Sequence, residues 1–150
     1  MRGPIPMLRR YVISPVGAVM AVLGVSVAVT GTAQAKHRVH PPSFAGLKSA
    51  TTCIPGPVKP GESTSYHLEW EAAKDKTTGP RKIVYNVYQA TSPGGENFSV
   101  PTYTTARGET SFDTPKLPVE GTFYFVVRAR DRAGREDTNT VEREGRNLCK

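Results

Sequence analysis

The groups that metal sites and covalent catalysis are built from are scarce in this chain. Its 150 residues include three histidines and two cysteines. His37 and His40 sit in a basic tail without two further ligands beside them, so they do not make up a zinc set. Cys53 and Cys149 lie too far apart for a CxxC redox pair and are too few for a thiolate metal site. His67 is the only histidine within the expected folded region. A Ser65, His67, Glu69 set can be drawn on paper, but residues two apart on a flat exposed strand face offer no pocket. Pro93-Gly94-Gly95 lacks the lysine and the following helix of a phosphate loop. Gly134-Arg135-Glu136-Asp137 is not an Arg-Gly-Asp tripeptide. The chain also has no amphipathic-helix periodicity and no internal repeat. These absences argue against an enzyme and against any cofactor or metal.

Acid is missing from the first 35 residues, which carry Arg2, Arg9 and Arg10 and then an apolar run from Tyr11 to Thr30. Ala33-Gln34-Ala35 follows. A basic region, an apolar region and a small-x-small site, in that order, describe a secretory signal peptide cleaved between Ala35 and Lys36. The competing reading is an uncleaved membrane anchor, since twenty rather apolar residues approach the length of a bilayer span. No cysteine stands directly after the site, where Lys36 is found, which argues against a lipoprotein. Three of the 20 basic residues lie in this segment, leaving 17 basic against 13 acidic residues after it. The whole-chain net charge of +7 thus overstates the pull toward polyanions, and no nucleic-acid partner is expected.

Strand patterning is what remains. Residues 36–42 read as a basic flexible leader, and residues 43–150 as one domain. In Gly121 to Gly134, Phe123, Phe125, Val127 and Ala129 fall on one face, while Tyr124, Val126, Arg128 and Arg130 fall on a partly wet one. Tyr66, Leu68 and Trp70 alternate in the same way within Ser63 to Glu71, with Trp70 in the core. Ile83, Tyr85 and Val87 do so within Ile83 to Gln89. Phe44, Leu47 and Ala50 mark a first strand, Phe98 to Thr105 an edge strand interrupted by Pro101, Thr110 to Thr114 a fifth strand and Asn139 to Leu148 a charged seventh. Pro55-Gly56-Pro57, Pro60-Gly61, Ser92-Pro93-Gly94-Gly95 and Gly108 separate them. Seven short strands with turn signals between them predict an all-β, seven-stranded antiparallel sandwich.

Three segments, SYHLEWEAA, IVYNVYQ and Leu117 to Gly134, resemble the B, C and F strands of the fibronectin type III domain, an immunoglobulin-like fold. The match runs from about Pro41 to Arg143. The family usually has a tyrosine where this chain has Phe123, so the hydroxyl of a tyrosine corner is not supplied there. The resemblance implies a secreted spacer or binding module, and an extracellular protein or polysaccharide partner for a monomeric domain. The alternatives are an envelope protein that binds polyanions through its basic loops, or a membrane-anchored surface domain if the first segment stays attached.

Only one disulfide can be drawn, Cys53 to Cys149. Seven strands that alternate in direction leave the first and last parallel, with the two cysteines at one pole. The loops after strands two, four and six, together with the amino-terminal tail, then share the opposite pole. They bring Lys74, Lys76, Arg81, Lys82, Arg107, Arg132, Arg135 and Arg38 against Asp75, Glu109, Asp131, Glu136 and Asp137. Arg81, Lys82, Arg132 and Arg135 are the expected contacts of an anionic ligand; the plainer reading is a solvated pole.

Overall fold

The structure is a computed structural model that describes residues 40–149. The expected export segment, its expected cleavage site, Arg38 and most of the expected leader lie outside the described residues. His40 and Pro41 are exposed, but Pro42 is already buried. Ser43 and Lys74 then exchange backbone hydrogen bonds of 2.8 and 2.9 Å.

The described chain is all-β apart from one 3-10 turn, Pro80–Lys82. Its strands are β1 (Leu47–Thr52), β2 (Ser63–Thr64), β3 (His67–Trp70), β4 (Val84–Ala90), β5 (Tyr103–Thr104), β6 (Ser111–Asp113), β7 (Leu117–Pro118), β8 (Tyr124–Arg130), β9 (Glu142–Glu144) and β10 (Arg146–Asn147). Two four-stranded sheets have the orders β10-β1-β3-β6 and β5-β4-β8-β9, and β2 pairs with β7 in a small third sheet. All pairings are antiparallel except β1 with β10.

The two larger sheets share one core because their alternating apolar faces meet. Leu47, Ala50, Leu68 and Trp70 come from one sheet, and Tyr85, Val87, Phe125, Val127 and Ala129 from the other. Trp70 and Tyr85 lie 5.2 Å apart between ring centroids, and Tyr66 and Phe125 lie 5.6 Å apart. Phe123 packs edge-on against Tyr66 at 6.0 Å. Each such large side chain taken from water contributes roughly 1.5–3 kcal/mol, so the alternation seen in the sequence is the main stabilising pattern of the fold.

The seven strands expected are ten in the structure: Leu117–Pro118 is an added strand, the first strand begins at Leu47 and leaves Phe44 outside it, and the expected second, seventh and fourth strands change as follows. Ser63 to Glu71 is two strands in different sheets, and the backbone between them is taken up sideways as Thr52 Oγ1 donates to the Ser65 carbonyl at 2.8 Å. Asn139 to Leu148 is also two strands. β9 pairs with β8, the chain passes Gly145, and β10 pairs with β1. Phe98 to Thr105 keeps only two residues as a strand. Pro101 has no N–H to donate, and Phe98 folds away to set its ring edge-to-face with Tyr88, 5.1 Å between centroids.

That displacement explains a further difference. The outer face of the second sheet is partly dry: Asn86, Tyr88 and Val126 are buried there. Arg128 lies across it, its guanidinium carbon 3.6 Å from the Phe98 ring centroid and its Nε donating to the Asn139 carbonyl at 2.9 Å. Glu136 accepts from Tyr88 Oη at 2.7 Å and from Asn86 Nδ2. Burial first, then this bond to Glu136 and its charge, push the Tyr88 hydroxyl up to about 12.

Candidate functional site

The sequence placed the loops after its second, fourth and sixth strands at one pole, and in the structure they meet. The Pro80–Lys82 turn follows the β3 connection, and the Arg107-Gly108 turn packs directly on it. Gly108 N donates to the Ile83 carbonyl at 2.8 Å. Gly108 has a φ of +78°, and a Cβ there would stand 3.0 Å from the Arg81 Cα. Only glycine meets both conditions without strain.

The third loop, Asp131 to Arg135, is closed by its own carboxylate. Asp131 N donates to the Arg135 carbonyl at 3.0 Å and Gly134 N to the Asp131 carbonyl at 3.1 Å. The Asp131 side chain, fully buried, accepts from Ala133 N at 2.8 Å, Arg135 N at 2.9 Å and Arg135 Nε at 2.7 Å. Burial alone would raise this carboxyl. The backbone N–H, guanidinium bond and charge of Arg135, with the N–H of Ala133, outweigh it and hold the group below its ordinary value.

Between the three loops lies a depression of about 250 Å³, lined by Lys82, Val84, Arg107, Arg130, Asp131, Arg132 and Gly134. Two of the four expected contacts, Lys82 and Arg132, are therefore on it. Arg81 is exposed in the 3-10 turn but does not line the depression. Arg135 is spent on Asp131, with Nη2 at 2.5 Å from Oδ2. Asp75 is turned to local work, accepting from Thr77 N at 2.7 Å and Thr77 Oγ1 at 2.8 Å. Glu136 and Asp137 likewise face the sheet: Asp137 accepts from Asn139 N at 2.9 Å.

Arg130 was missed as a contact of this pole. Its outward parity was legible, but its neighbours were not. The β4–β8 register sets Arg130 opposite Val84, two residues after Lys82.

His67 is outward, as its parity required. Its Nδ1 lies 2.7 Å from Asp113 Oδ1 across the β3–β6 pairing, with side-chain exposures of 50% and 73%. Among the described residues no three histidine, cysteine or carboxylate side chains are grouped to hold a metal. No helix of the described residues is long and apolar enough to cross a membrane. A larger depression of about 490 Å³ runs between β1 and the β9–β10 segment, but its charges are mixed: Lys48, Arg143 and Arg146 with Glu142 and Glu144.

The Cys53–Cys149 bridge is formed, with a Cα–Cα distance of 4.9 Å. It joins the ends of β1 and β10, whose parallel register pairs Thr51 with Arg146 and Thr52 with Asn147. Asn147 reinforces the junction, its Oδ1 accepting from Ile54 N at 3.0 Å. Compared with protein-family models and with curated protein sequences, the chain matches none of them.

Proposed function

We propose that this chain is an exported, non-catalytic binding or scaffolding module built on a fibronectin type III-like sandwich, acting as a monomer on an extracellular protein or polysaccharide. The observation that carries the reading is the strand order. The Trp70-bearing β3 lies in one sheet, while β4 and β8 pair in the other, as strands B, C and F are distributed in an immunoglobulin-like sandwich. The disulfide supports the compartment, since structural disulfides persist in oxidising surroundings. In place of a tyrosine corner, Phe123 packs on Tyr66, and the bridge ties the last strand down.

Two measurements on the protein from its native host test this. Mass spectrometry of the exported form is expected to begin at Lys36, with both cysteines resistant to alkylation until reduced. Cross-linking in the extracellular fraction is expected to capture a partner that survives washing. A protein retained inside the cell with both thiols open to alkylation refutes the reading. An exported form that keeps Tyr11 to Thr30 turns it into a surface-anchored module.

A further inference from the structure

We infer that the depression formed by Lys82, Arg107, Arg130 and Arg132 is a binding site for the oxyanion groups of an acidic polysaccharide laid across this pole. The inference rests on the proposed extracellular role and names the ligand class for it.

Charge bookkeeping at the site comes first. The ion pairs among the described residues are His67–Asp113, Arg128–Glu136 and Arg135–Asp131. None of them takes up Lys82, Arg107, Arg130 or Arg132. The one carboxylate of the lining, Asp131, is buried and held by Arg135 and two backbone N–H groups. Its charge is compensated from the inside. What faces the depression is therefore four cations against no uncompensated acid.

Those cations border one depression of about 250 Å³. An oxyanion seated in it stands within the ~8 Å Debye length of the groups that border it, so its attraction to them is little screened at physiological salt. The loops that carry them are fixed by the Gly108–Ile83 bond, the Asp131 cap and the β4–β8 ladder. The backbone beneath them is already set, and the ordering cost left for a ligand is that of the four exposed side chains.

Size and lining then select the kind of anion. Pockets that engulf a small molecule run to about 300–1,000 Å³ with mostly apolar walls. This one is smaller, and Val84 is its one aliphatic wall residue besides the arginine and lysine stems. A compact apolar metabolite would gain little here. A chain that rests across the opening and presents one charged group to the site gains most of what is offered. Arginine forks suit planar carboxylate and tetrahedral sulfate or phosphate oxygens. No aromatic ring lines the depression, and without stacking platforms a single-stranded nucleic acid loses its main source of binding.

The test uses the purified exported protein on three immobilised probes: heparin for sulfate, polygalacturonate for carboxylate and duplex DNA for backbone phosphate. Retention on at least one polysaccharide is expected at low salt, with elution by about 1 M sodium chloride, where the Debye length is about 3 Å. The variant Lys82→Ser/Arg107→Ser/Arg130→Ser/Arg132→Ser is expected to lose at least about tenfold in affinity. A control that removes the same charge elsewhere, Lys48→Ser/Lys59→Ser/Lys116→Ser/Arg146→Ser, is expected to stay within about twofold. Equal losses in the two variants mean bulk charge and overturn the site. Binding to DNA that equals or exceeds the polysaccharides overturns the ligand class. Should the quadruple variant not fold, Arg130→Ser alone against Arg81→Ser alone decides: only the first is expected to weaken retention, and the reverse result overturns the site. Failure here with export and partner capture intact leaves the proposed module standing and removes only this ligand.

Discussion

Gly145 lies against the edge of the Tyr66 ring, so closely that a Cβ at this position would overlap Cε1 and Cδ1. Its N–H donates to the Phe123 carbonyl at 2.8 Å. This contact is where the last strand leaves one sheet and crosses to the other. Tyr66 cannot yield, being buried and packed on Phe123 and Phe125. Gly145→Ala is expected to cost about 1–3 kcal/mol through overpacking. Gly79→Ala, where a Cβ meets nothing within 4 Å, is the control and should be near neutral. Urea unfolding of the two variants checks this; equal midpoints would mean the crossing tolerates a side chain.

The disulfide closes a separation of 96 residues. In the chain-entropy picture a loop of that length is worth up to ~4.7 kcal/mol, and removal from small secreted domains costs about 2–5. Cys53→Ser/Cys149→Ser should lower the thermal midpoint strongly. Because Cys53 is exposed, reductant alone should reproduce most of the loss. A midpoint indifferent to reductant would show that β10 stays docked on β1 through its hydrogen bonds.

Asp131 gives an acid-sensitive contribution. Its carboxyl is held below its ordinary value, so the stability it adds is complete above the unfolded aspartate pKa near 3.9 and is lost as pH falls through the lower folded value. Asp131→Asn is expected to cost about 1–3 kcal/mol at neutral pH, with the gap from wild type closing in strong acid. Thermal melts at several pH values read this out. A gap that persists unchanged into acid would assign the loss to packing instead of charge.

Glu96 has the opposite sign. Its Oε1 is buried without a hydrogen-bond partner, and burial first, with the negative charge of Glu142 adding, raises its carboxyl above its ordinary value. A raised acid stabilises the fold least when deprotonated: its contribution falls as pH climbs from the unfolded value near 4.3 through the folded one. Glu96→Gln should therefore raise the midpoint at pH 7 by roughly 2–5 °C, the difference shrinking toward pH 4. Hydrogen exchange at Gly94 and Gly95 would follow it, because Gly94 N donates to Glu142 Oε2 at 2.6 Å. A rise of the same size at both pH values would exclude the ionised carboxylate as its source.

The alternation of Phe123, Phe125, Val127 and Ala129, with Tyr85, Val87, Leu68 and Trp70, is a local property of the chain, since a strand's side chains must alternate once its backbone is extended. It determined the all-β class, most of the buried aromatic and aliphatic residues and the outward direction of His67. The pairing of Cys53 with Cys149 followed from there being only two cysteines. Which strands sit side by side is a long-range matter and was decided only by the tertiary structure. The crossing at Gly145 depends on Tyr66, far away in sequence. The dry outer face depends on Phe98 leaving its strand to cover Tyr88. The basic depression depends on the same kind of distance: the β4–β8 register brings Arg130 beside Lys82, whereas Arg135, equally charged on paper, is consumed four residues back by Asp131. Charge can be counted along a chain, but whether a charge is free is settled by what folds against it.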